Sequence, residues 1–107
     1  MFSRTISRLK DYDYNAKAIP STKRYAKRFF QKEIKDNNNN ILYYINCYNY
    51  INKFDMDNDR FEFEMSFKND FYSFYATMYY FNNEENIDLQ MIEEDALKIY
   101  KIVKGDD

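Results

Sequence analysis

Residues 60–68 alternate without a break: Phe61, Phe63, Met65 and Phe67 take the odd positions, Arg60, Glu62, Glu64, Ser66 and Lys68 the even ones. Successive side chains leave a pleated backbone on opposite sides, so this period of two predicts a strand with one apolar and one polar face. Residues 71–81 have a similar character, and Asn69-Asp70 between the two segments suits a two-residue hairpin loop, because both residues tolerate positive φ. Lys68 then faces Phe71, and the pairs Phe67–Tyr72, Met65–Phe74, Phe63–Ala76 and Phe61–Met78 follow, all apolar or aromatic. A slip of one residue would scatter that set over both faces.

The rest of the chain is read around this hairpin. Residues 41–52, ILYYINCYNYIN, are rich in β-branched and aromatic residues and predict a preceding strand. The run Asn37–Asn40 predicts a turn. Residues 21–35 predict a helix started by Pro20 and Ser21, with Tyr25, Ala26, Phe29, Phe30 and Ile34 beneath. Its outer face would carry Arg24, Lys27, Arg28, Lys32 and Lys35, with Lys23 at the edge. Residues 88–104 predict a closing helix: Leu89, Ile92, Ala96, Ile99, Tyr100 and Val103 share a stripe, Asp88 stands at the start, and Gly105 supplies the stop. The expected fold class is α+β: helix, three-stranded antiparallel meander, helix, with both helices on one face of the sheet. A length of 107 residues suits one domain over 1–107, with a compact core over 20–105. Residues 1–19 read equally as a short helix, from the spacing of Phe2, Ile6 and Leu9, or as an extended arm.

Charge is segregated along the chain. Residues 1–40 hold ten Lys/Arg against four Asp/Glu, a net +6, whereas residues 41–107 hold six against fourteen, a net −8. Such asymmetry speaks to surfaces and partners and not to fold. Two surfaces follow from the expected elements. The second sheet face would present Tyr44, Tyr48, Tyr50, Glu62, Glu64, Tyr75 and Tyr79, an open field of tyrosines and carboxylates. Tyrosine is enriched at protein interfaces because it offers a large rigid area with a polar tip. The basic helix face would suit phosphates or an acidic protein.

Several chemistries are disfavoured by residue type. With no His the chain lacks the commonest general base and the usual zinc ligand sets, and its one Gly cannot form a phosphate-binding loop. Cys47, on an inward strand position, reads as a core residue without an activating base. Asp55, Asp57 and Asp59 resemble the opening of an EF-hand loop, but Arg60 stands where Gly belongs and Ser66 where Glu belongs, so the segment reads as an acidic turn. Neither metal nor cofactor is expected, and the chain reads as no enzyme. No leader or spanning segment is legible, which with a lone Cys makes cytoplasm the expected compartment, and no membrane partner is expected, although the basic helix face could also lie on an acidic membrane surface.

The order helix, three strands, helix is also that of double-stranded-RNA-binding domains. Those carry cations before the last helix, where this chain reads Asn82-Asn-Glu-Glu-Asn-Ile-Asp88, so that family is set aside. In size, plan and acidic, tyrosine-rich composition the chain resembles small phage-encoded inhibitors of host defence, anti-CRISPR proteins among them. The resemblance covers the chain as a style, with no motif and no transferable residue. It implies a non-catalytic protein that occupies a site on a larger nucleic-acid-targeting effector in the host cytoplasm. The leading expectation is thus a protein-binding inhibitor or adaptor using the tyrosine–carboxylate face, as a monomer or a homodimer. The alternative is a nucleic-acid-binding module using the basic helix.

Overall fold

The structure, a computed structural model, describes residues 3–55 and 57–105. It contains one five-stranded antiparallel sheet in the simple order β1 (Asn15–Lys17), β2 (Arg28–Lys35), β3 (Ile41–Tyr50), β4 (Arg60–Lys68), β5 (Ser73–Phe81). Helix α1 (Arg4–Asp11) precedes the sheet and α2 (Leu89–Lys104) follows it. The expected three-stranded meander is therefore a five-stranded one, and the helix expected over 21–35 does not form. Its place is taken by a single 3-10 turn, Ser21–Lys23, and by β2.

The reason lies in the turn that follows. The Asp36 carboxylate accepts from the backbone N–H groups of Asn38 (2.8 Å) and Asn40 (2.9 Å), and Asn39 adopts φ 68°, a conformation Asn tolerates. These contacts hold the Asp36 carboxyl below its ordinary range, the Asn40 N–H contributing most. The asparagine run is thus a turn, as expected, but one that closes a hairpin between β2 and β3. Phe29 and Phe30, which a helix would place on one stripe, here point to opposite sides: Phe30 enters the main core and Phe29 stacks on Tyr48 at 4.8 Å. A helix would bury both rings against one face of the sheet, whereas the strand serves both faces, with Phe30 in the main core and Phe29 in the smaller cluster with Ala26 and Tyr48.

The β4–β5 hairpin also departs from its expected register. Asn69 accepts through its side chain from the N–H groups of Phe71 (2.8 Å) and Tyr72 (3.0 Å), so the connection is a four-residue turn, and Lys68 pairs with Ser73. The shift by two residues leaves the faces unchanged, with Phe67 opposite Phe74 and Met65 opposite Ala76. A bulge beyond Glu64 then absorbs Met78, so that Phe63 meets Tyr79 and Phe61 meets Phe81. From there the parity of β5 is reversed.

Both helices contribute to the main core. Leu9 of α1 and Leu89, Ile92 and Ala96 of α2 are buried with Ile45, Cys47, Phe61, Phe63 and Met65. Within residues 3–19 the chain forms α1 and β1, so the short helix and not the extended arm is found over Arg4–Asp11; Phe2 lies outside the described residues. Ser3 caps α1 by accepting from the Ile6 N–H at 3.1 Å. Asp88 caps α2 through the Met91 N–H, and Gly105 ends it at φ 72°. No helix among the described residues is long and apolar enough to cross a membrane.

Candidate functional site

The opposite face of the sheet carries the second structural theme. Because Glu62, Glu64 and Ser66 share one side of β4, and Tyr44, Asn46, Tyr48 and Tyr50 share the same side of β3, the ladder sets carboxylates against hydroxyls and amides. The contacts are closed and directional. Asn46 donates through Nδ2 to Glu64 (3.0 Å) and Ser66 (2.9 Å) while accepting from Gln31 of β2 (3.0 Å). The Tyr48 hydroxyl donates to Glu64 at 3.1 Å and the Tyr50 hydroxyl to Glu62 at 2.7 Å. Burial, reinforced by the adjacent carboxylates, raises both phenols well above their ordinary pKa, so they remain donors through the neutral range.

This face is not the open field that alternation alone predicts. Residues 61–67 are all buried, the polar ones included. The chain before β2 folds across one end of the face: Ala26 packs with Phe29 and Tyr48, and Lys23 reaches down to Glu62 at 3.0 Å, its ammonium 5.1 Å from the Tyr48 ring centre. Beside this strap a groove of about 620 Å³ remains, lined by Pro20, Thr22 and Lys23 from the strap and by Phe29, Tyr44, Tyr48, Glu64 and Tyr75 from the sheet. A second hollow of about 320 Å³ adjoins it toward the β4–β5 turn, sharing Tyr44 and Lys68. Tyr75, 66% exposed, stands at the lip.

Six of the seven residues expected on this face are brought together: Tyr44, Tyr48, Tyr50, Glu62, Glu64 and Tyr75. Tyr79 is the exception, because the bulge at Met78 turns it to the helix side, where its hydroxyl donates to Asp95 of α2. Tyr80 takes its place and pairs with Glu62.

The basic helix face, by contrast, is dispersed. Lys23 binds Glu62, Lys27 binds Asp59 at 3.2 Å, and Lys32 points to the core side and binds Glu93 of α2 at 2.7 Å. Arg24 stacks on Tyr25, Arg28 donates to Asn49, and Lys35 lies 3.8 Å from Glu33. No common phosphate-facing surface survives, because Lys23, Arg24 and Lys27 lie in the segment before β2 while Arg28, Lys32 and Lys35 lie on β2, and Lys23, Lys27 and Lys32 are taken up by carboxylates.

Phe29, Gln31, Pro20 and Thr22 are groove residues that the helical reading of 21–35 conceals. The cue to them is the alternation Phe29, Gln31, Glu33 against Phe30, Lys32, Ile34, which runs beside an equally good helical spacing. Cys47 is fully buried on the helix side, and burial raises its thiol pKa well above the ordinary value. Asp55 spends its oxygens on its own turn, accepting from the Asp57 N–H and the Asn58 side chain. No family model, curated protein or solved structure matches the chain.

Proposed function

We propose that this chain is a non-catalytic binding protein that occupies a site on a larger protein, as an inhibitor or adaptor, through the tyrosine–carboxylate groove. The observation that carries this reading is the groove of about 620 Å³ built on the central strands β3 and β4, with its lining side chains already locked in hydrogen bonds. Side chains ordered before the partner arrives lose little entropy on binding, which is how a small domain reaches useful affinity. The aromatic lip at Tyr44 and Tyr75 supplies apolar area, and the carboxylate floor supplies selectivity. The absence of His from the chain and the sealed thiol of Cys47 support a role without nucleophilic chemistry. The resemblance to small phage-encoded inhibitors points the same way, toward blockade of a host nucleic-acid-targeting complex.

A photo-cross-linking amino acid at position 75 tests the reading in cells of the native or host background. It is expected to trap one protein species, insensitive to nuclease, that the same amino acid at the exposed Ile102 of α2 does not trap. Trapping at 102 and not at 75 would move the working surface to the helices.

A further inference from the structure

Glu62 and Glu64 lie two residues apart on the same face of β4 and are buried alike, at 7% and 5% exposure. Their surroundings differ in one respect. Glu62 meets the Lys23 ammonium with both oxygens, at 3.0 and 3.2 Å, and accepts from Tyr50 as well. Glu64 belongs to no ion pair among the described residues. Its Oε1 accepts from Asn46 and Tyr48, its Oε2 accepts from none of the described residues, and the residue lines the groove. Oε2 is not sealed from water and so stays open to an incoming donor from the groove.

We infer that the groove receives a lysine side chain of the partner protein, with the ammonium on Glu64 and the methylene stem along the aromatic wall of Phe29, Tyr44 and Tyr75. The inference rests on the groove being the partner-binding surface. Charge complementarity carries it: of the other charged lining residues Lys23 is held by Glu62 and Lys68 is exposed at the rim shared with the second hollow, so Glu64 is the one charged group buried in the lining without a counter-ion among the described residues. Lysine fits better than arginine, because Oε1 is committed to two donors and a guanidinium fork needs both oxygens, whereas an ammonium needs one. The chain's own Lys23 displays the same recognition one step along the strand, its ammonium on a glutamate and over the Tyr48 ring.

Titration of the isotope-labelled chain with n-butylammonium, n-butylguanidinium and the neutral n-butanol, followed by backbone amide shifts, tests this directly. The expected result is saturable shifts at Asn46, Tyr48, Glu64 and Ser66, with n-butylammonium binding about tenfold more tightly than n-butanol. The guanidinium is expected to bind more weakly than the ammonium. Glu64→Gln retains an acceptor for Asn46 and Tyr48 and is expected to abolish the advantage of the ammonium. Equal binding of ammonium and alcohol, tighter binding of the guanidinium, or an advantage that persists in Glu64→Gln would overturn the lysine and leave the groove in place. If none of the probes shifts these amides, the lysine is again overturned, while the position-75 cross-link decides separately whether the groove is the binding surface. The comparison of probes on the unaltered chain decides the matter even if Glu64→Gln fails to fold.

Discussion

At the scale of single residues, loss of water governs ionisation on both sides of the sheet, for Tyr48 and Tyr50 on the polar face and for Tyr14 and Tyr43 in the helix-side core. Tyr14, Tyr43, Tyr48 and Tyr50 all have pKa values raised above the ordinary 10.0, in each case first by loss of water. Around Tyr48 and Tyr50 the carboxylates Glu64 and Glu62 add to the effect. A folded-state pKa above the unfolded one means that the unfolded chain gives up its phenolic protons first. The stabilisation is fully present below about pH 10 and is lost as the pH rises from there toward the raised folded values. Urea denaturation between about pH 8 and about pH 11 should therefore show stability falling at the alkaline end. The double variant Tyr48→Phe, Tyr50→Phe should show a shallower fall, because two of the linked protons are gone; an unchanged slope would assign the decline to other groups. Neither tyrosine's titration is legible in a sequence. The identity of the phenol is, but its partner carboxylate is set by the pairing of β3 with β4.

At the scale of elements, β5 shows how one residue redirects a surface. Met78 is the extra residue of the bulge, and everything beyond it changes side: Tyr79 reaches Asp95 on α2 while Tyr80 turns to the polar face. Alternation read from Ser73 onward places Tyr79 with Tyr75, and no local cue marks the break. What breaks it is the packing: Tyr79 and Phe81 stack on each other at 5.7 Å, and Phe63 meets Phe81 edge-on at 6.0 Å beneath α2. Deletion of Met78 should leave these pairs intact, since Thr77 and Tyr79 would then face Glu64 and Phe63 in an unbroken ladder. The expected cost is about 1–2 kcal/mol for the lost contact of a half-buried methionine, measured by chemical denaturation. A failure to fold would mean that the bulge itself sets the twist on which α2 rests.

At the scale of the whole molecule, the charge segregation resolves into internal complementarity. Lys23, Lys27 and Lys32 from the basic first part pair with Glu62, Asp59 and Glu93 from the acidic remainder, and Glu84 accepts from Ser3 and the Thr5 N–H at the start of α1. The pairs differ in weight. Lys32 and Glu93 are both mostly covered, and Glu93 lies beside the buried Tyr14, whereas the Lys27–Asp59 pair is more exposed. Lys32→Met should accordingly cost about 2 kcal/mol by leaving Glu93 without its cation, and Lys27→Met less than about 1 kcal/mol. Urea denaturation of the two variants at neutral pH measures the difference, and equal costs would remove Lys32 from any special place in joining β2 to α2. By itself, the sequence determined the elements whose cues are local: the β3 and β4 strands from their composition and period, the asparagine turn from its tolerance of positive φ, the closing helix from its stripe and caps, and six of the seven residues on the polar face. Three things were left to the tertiary structure: whether residues 28–35 are helix or strand, where the bulge falls, and which segment straps the second face. Each depends on contacts between residues far apart in the chain. Phe29, Phe30 and Ile34 form one stripe in a helix but fall on two faces in a strand, and only the pairing with β3, with cores both above and below the sheet, selects the strand.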